Sequence, residues 1–166
     1  MGDDVLRVQR ATVDDLDELL RMADARRKTY AEYQPRFWRP AADAVDRQRP
    51  YLSSLLDDDD TLVLTAAADG SELRGFAIGR LLPAPPVYDP GGVSCVVDDF
   101  AVVDPEEWLT VGPALLDGLR RWAAGRGAVQ LIVVTAHLDE PKRAALRSQD
   151  LTLASEWWVG PVGDGG

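Results

Sequence analysis

The stretch that most restricts the fold runs from Val93 to Thr135 and reads VSCVVDDFAVVDPEEWLTVGPALLDGLRRWAAGRGAVQLIVVT. Val93–Val103 is rich in β-branched and aromatic residues, which suit a pleated, half-buried surface. Asp104-Pro105 ends that strand, because proline has no N–H to give a ladder. Leu115, Leu116, Leu119, Trp122 and Ala123 then recur at helical spacing, so one face of the next segment is apolar. Gly127 stands where a left-handed C-cap is expected, and Val129–Thr135 is an apolar run of strand length. The pattern is a βαβ unit whose helix starts at Gly112 and Pro113. A helix start of this kind offers free N–H groups and a positive dipole end to an anion.

The run Asp99-Phe100-Ala101-Val102, followed by Gly112, Leu115-Leu116, Trp122-Ala123 and Gly127, resembles the acetyl-CoA-binding core of the GNAT N-acyltransferase superfamily. That family carries a loop of the form [Gln/Arg]-x-x-Gly-x-[Gly/Ala], whose backbone amides hold the pyrophosphate of coenzyme A. At the family's spacing Glu107 falls on the Gln/Arg position, Thr110 on the first glycine and Gly112 on the second, so one signature position of three matches. The resemblance implies acetyl-CoA as co-substrate. It places the pyrophosphate on the loop Glu107–Pro113, with amides of Leu109, Thr110, Val111, Gly112 and Ala114 as donors. The free edge of Val102 and Val103 would pair with the pantetheine arm. Pro113 has no N–H to contribute, and Asp104, Glu106 and Glu107 bring negative charge to the place a phosphate would take.

The 166 residues fit one domain over 1–166, with an ordered core of about 5–160 and a tail at 161–166. The formal net charge of −10 argues against sequence-independent nucleic-acid binding, which needs a basic surface. The same charge tolerates a cationic acceptor such as an amine. No apolar run reaches the ~18 residues of a membrane span, and MGDDVLRVQR lacks a signal-peptide hydrophobic region. Cys95 is the one cysteine, so no intrachain disulfide forms, and a cytoplasmic location is the default expectation.

Before the central unit, Leu6–Arg10 alternates as a short strand. Thr12 and Asp15 resemble a capping box ahead of an amphipathic helix carrying Leu16, Leu19, Leu20 and Ala23 and fading near Tyr33. An interrupted helical stretch covers Ala41–Leu56, with Pro50 starting its second half. The carboxylate run Asp57–Asp60 reads as a solvated loop, since it lacks the alternation and glycine of a calcium loop. Thr61–Ala68, Asp69-Gly70 and Leu73–Leu82 form a hairpin, joined by a proline-rich loop to Val93. After Thr135 come His137, a short helix to about Gln149, a last strand over Leu151–Val159 and a frayed end. The order β-α-α-β-β-β-α-β-α-β describes an α/β fold with a mixed, mostly antiparallel sheet flanked by helices, as in the GNAT fold.

Asp98 and Asp99 are expected on opposite faces of the central strand. Either is a candidate general base for the acceptor amine, a role the resemblance also gives to a carboxylate or water on this strand. His137 follows directly on the second core strand and is a third candidate, since ligands gather at the carboxyl ends of parallel strands. No Cys, His or Asp cluster is spaced for a metal. Matching Asp139–Leu151 to the family's Asn-x-x-Ala-x-x-Leu-Tyr-x-x-x-Gly-Phe sets Leu146 where the resemblance puts a tyrosine acid, and leucine gives no proton. Trp108, Trp157 and Trp158 suit core packing or a homodimer contact, and Cys95 a small buried hydrophobe.

Two functions follow. One is acetyl-CoA-dependent N-acetyl transfer to a primary amine on a small molecule or peptide. The other is a GNAT-fold binding or regulatory module without catalysis, which the substituted loop and Leu146 favour.

Overall fold

The computed structural model describes residues 5–68 and 72–163. The expected hairpin turn Asp69-Gly70 therefore lies outside the described residues. Five strands form one sheet in the order β1-β2-β3-β4-β5: β1 (Leu6–Arg10), β2 (Thr61–Ala68), β3 (Leu73–Leu82), β4 (Val93–Val102) and β5 (Ala128–Val133). The first four are antiparallel to their neighbours, and β4 and β5 run parallel. The helices are α1 (Leu16–Tyr33), α2 (Ala44–Leu56), α3 (Val111–Ala124) and α4 (Glu140–Ser148). This is the mixed, mostly antiparallel α/β arrangement expected from the sequence. Among the described residues, no helix is long and apolar enough to cross a membrane.

The centre of the sheet is buried on both faces, which is why β2 reads as an almost unbroken apolar run. Leu62, Leu64 and Ala66 face α3 and α4, and Val63 faces α1 and α2. Phe76 and Ile78 of β3 join the α1/α2 side, and Ala77 the opposite one. In α3 the stripe Leu115, Leu116, Leu119 and Ala123 is buried as its spacing requires. Gly127 has φ +80° just past α3, the left-handed turn foreseen for it. Asp15 accepts a 2.8 Å bond from the Thr12 N–H ahead of α1, the capping contact expected there. Asp58 accepts from the Thr61 hydroxyl at 2.6 Å, so the acidic loop also closes the start of β2.

Two expectations need correction. The second helical stretch is unbroken from Ala44 to Leu56, with Pro50 inside it on an exposed position. The last strand does not form. Leu151–Val159 takes no place in the sheet, and Trp157 and Trp158 are 83% and 90% exposed. Its composition suits a strand and β5 is the last strand of the sheet, yet this segment does not pair with it and crosses instead to Phe37, whose ring lies 6.0 Å from that of Trp157.

Candidate functional site

The site is built where β4 and β5 part. Their parallel pairing ends at Val97↔Val133, closed by a 3.0 Å bond from the Val134 N–H to the Val97 carbonyl. Strand β4 runs on to Val102 with only β3 beside it, while the other chain turns away toward α4. At the same level β4 carries a bulge. Ala77 faces Phe100 and Gly79 faces Val97, so Asp98 and Asp99 together oppose the single residue Ile78. The extra residue breaks the alternation. Val97 and Phe100 both enter the α3/α4 core, and Ala101 the other one, so Asp98 and Asp99 are not a simple opposed pair.

The two aspartates differ in their partners. Asp99 accepts a 2.6 Å charged bond from Arg26 of α1, which also donates to the Asp98 carbonyl at 3.2 Å. The Asp98 side chain is exposed, and no described residue bonds its carboxylate. His137 lies exposed in the turn between β5 and α4, with no side-chain hydrogen bond among the described residues. The sheet brings the aspartates together at the parting, and no hydrogen bond among the described residues links the histidine to them.

The expected pyrophosphate loop is a 3-10 helix, Pro105–Leu109, capped by Asp104, which accepts from the Glu106 N–H at 3.0 Å. Several donors there are already engaged. The Glu107 N–H goes to Asp104, the Thr110 N–H and hydroxyl both go to the Glu107 carbonyl, and the Val103 N–H goes to Arg74 at 2.8 Å. Glu107 forms an ion pair with Arg74 of β3. Leu109 is exposed, Val111 is buried and Ala114 half-buried at the start of α3. Val102 ends β4 opposite Gly75. A Cβ built on Gly112 would lie 3.1 Å from the Trp108 ring and 3.6 Å from Ala145, so this glycine is required by packing.

Three residues that matter here carry no motif. Trp108 is buried edge-on to Phe100, with ring centroids 4.8 Å apart. Lys142 of α4 is fully buried, and its ammonium donates to the Phe100 carbonyl at 3.1 Å and the Val134 carbonyl at 3.0 Å. It therefore bridges the two strands just beyond the point where they separate. Burial pulls its pKa down to about 7, with Arg26 adding to the effect and Asp139, Asp98 and Asp99 opposing it. Tyr30 donates to Asp139 at 2.7 Å, tying α1 to the cap of α4, and burial raises its phenol to about 12. A lysine in the buried stripe Lys142–Ala145–Leu146 was the one signal in the sequence for this group.

No family model and no curated protein matches the chain by sequence. Solved structures do match it in fold. A predicted acetyltransferase from Clostridium acetobutylicum, crystallised with acetyl-CoA, superposes with TM-score 0.73 at 14% identity, over 95% of this chain and 96% of that one. An aminoglycoside N-acetyltransferase in complex with CoA gives 0.70 at 12% identity, over 98% of each chain. A ribosomal-protein-alanine N-acetyltransferase from Brucella melitensis gives 0.61 at 23%, over 95% and 98%. The parted parallel strands, the bulge in β4 against β3 and these superpositions agree: the fold is that of the GNAT N-acyltransferase superfamily.

Proposed function

We propose that the protein transfers an acetyl group from acetyl-CoA to a primary amine. The observation that carries this reading is the parting of β4 from β5 beside the Asp98–Asp99 bulge, with the start of α3 at the far end of the same strand. The thioester would lie between the strands, and the pyrophosphate would lie over Leu109–Ala114, where amides at a helix start favour an anion. The acceptor nitrogen attacks the thioester carbonyl carbon, the C–S bond breaks, and the sulfur leaves as thiolate. Asp98, whose carboxylate has no bond among the described residues, takes the amine proton through water, and Asp99 is held in place by Arg26. Positioning two substrates supplies most of the rate in such a transfer.

For the acceptor we propose a cationic amine on a small molecule or peptide. Arg26 lies 5.3 Å from the Tyr30 ring, Tyr30 5.1 Å from Trp38, and Trp38 4.7 Å from Phe37, so an aromatic row leads away from Asp99. Aromatic faces attract cations, and the net charge of −10 has the matching sign.

Calorimetry with acetyl-CoA and with free CoA tests the core of the proposal. Binding of both is expected. Absence of both favours the second reading, a non-catalytic module, which the bridging of the two strands by buried Lys142 supports. Asp98→Asn is expected to lower turnover by ~10²–10⁴ with acetyl-CoA affinity unchanged, the usual effect of losing a general base. Full turnover in that variant would remove Asp98 from the mechanism. Glu107→Gln removes a negative charge and releases Arg74 from its ion pair. Acetyl-CoA affinity should then rise on the order of tenfold, about 1.4 kcal/mol, and an unchanged or weaker Kd would show that the pyrophosphate lies elsewhere.

A further inference from the structure

Lys28 and Lys142 are the only lysines in the sequence, and they are opposites. Lys28 is 73% exposed and pairs with Asp24 one turn away on α1. Lys142 is fully buried, between the carbonyls of Phe100 and Val134 and near the rings of Phe100 (5.3 Å) and Trp108 (5.7 Å). A neutral primary amine has two N–H bonds and one lone pair. The two carbonyls accept both N–H groups, and the remaining side of the nitrogen meets no further acceptor among the described residues. The charged groups nearest it are Arg26 of α1, Asp98 and Asp99 of β4, and Asp139 at the cap of α4. Arg26 is itself engaged with Asp99, and Asp139 with Tyr30.

We propose that Lys142 is an internal acyl acceptor: a CoA thioester lodged between β4 and β5 acetylates its side-chain nitrogen when no external amine is present. The inference rests on the transferase reading above. The lone pair of the nitrogen attacks the thioester carbonyl carbon, an N–C bond forms and the C–S bond breaks. The sulfur leaves with the bonding pair and takes up the proton that nitrogen loses, giving an amide and free CoA. With its pKa lowered to about 7, roughly half of the molecules carry a neutral, nucleophilic nitrogen at that pH, as for other lysines desolvated among apolar groups. The product amide carries no charge, so it is buried without the cost of an ammonium, and it keeps one N–H for one of the two carbonyls. The acetyl group then occupies the parting, and the modified chain is closed to further thioester.

The full-length protein, incubated with acetyl-CoA and no acceptor, is digested and its peptides are weighed. One acetyl group on Lys142 and none on Lys28 is expected, together with one equivalent of CoA released. The rate should be roughly tenfold higher at pH 8 than at pH 6, following the neutral fraction of a group titrating near 7. Acetyl phosphate, which lacks the CoA moiety, should modify Lys28 in preference. Calorimetric binding of acetyl-CoA with Lys142 unmodified overturns this inference and leaves the transferase reading standing. No binding and no modification overturns both.

Discussion

Trp108→Ala is expected to lower the unfolding free energy by about 3–5 kcal/mol, the range for removing a large aromatic ring from a packed core. The ring is buried against Phe100, Gly112 and the stem of α4, so its loss leaves a cavity that rigid neighbours close poorly. Urea denaturation measures the effect directly. The same ring dictates glycine at 112. Gly112→Ala puts a methyl 3.1 Å from the Trp108 ring, tighter than ordinary contact, and overpacking of this kind costs about 1–3 kcal/mol. In the Trp108→Ala background that methyl meets space. Alanine is also the better helix former by up to about 1 kcal/mol, so the sign of the Gly112→Ala effect should reverse. Additive costs in the two backgrounds would show that Trp108 does not hold Gly112. A bulkier residue at 112 is therefore a poor probe of phosphate binding, since it disturbs the core first.

The central βαβ unit was legible because its signals are local: strand composition in Val93–Val102, the stripe Leu115–Leu116–Leu119–Ala123, and Gly127 at the turn. Features that depend on a distant partner were not. The β4 bulge exists only in register against β3, so nothing within the Val93–Val102 stretch announces that Asp98 and Asp99 share one opposing residue. Leu151–Val159 has the composition of a strand, yet composition does not decide whether a segment docks on the outer edge of β5, and this one does not. Trp108 and Cys95 are buried, as a large aromatic and a small hydrophobe were expected to be.

The site was readable as a region and less so as a set of contacts. The segment from Glu107 to Ala114 does gather at the start of α3, but the ion pair of Glu107 with Arg74 and the donors spent within the 3-10 helix are tertiary facts. Lys142 shows the limit most clearly. Its spacing with Ala145 and Leu146 marks it as a member of a buried stripe. Its partners are the carbonyls of Phe100 and Val134, and no sequence pattern identifies which backbone oxygens two diverging strands leave unpaired.

That buried amine should govern how stability changes with pH. In the unfolded chain Lys142 titrates at its ordinary 10.5, and in the folded protein at about 7. Between those values the unfolded chain holds a proton that the folded one lacks, so stability rises with pH, by up to about 1.4 kcal/mol per unit. Below pH 7 both states are protonated and the penalty is full and constant. From pH 7 to pH 9 the gain should be roughly 2 kcal/mol. Above that, two other buried groups oppose it. Cys95 is raised from 9.0 to about 11 and Tyr30 from 10.0 to about 12, both by burial. The unfolded thiol and phenol ionise first, so their contribution is present at lower pH and is lost as pH climbs past 9 and 10. Stability should therefore peak near pH 9. Urea unfolding of the parent at half-unit steps from pH 6 to 10 traces the rise. Lys142→Met, of similar length and without a charge, should remove it and leave only the alkaline decline. Parallel curves for parent and variant would mean that Lys142 is hydrated in solution, and neither the depressed pKa nor the reactive amine would survive that result.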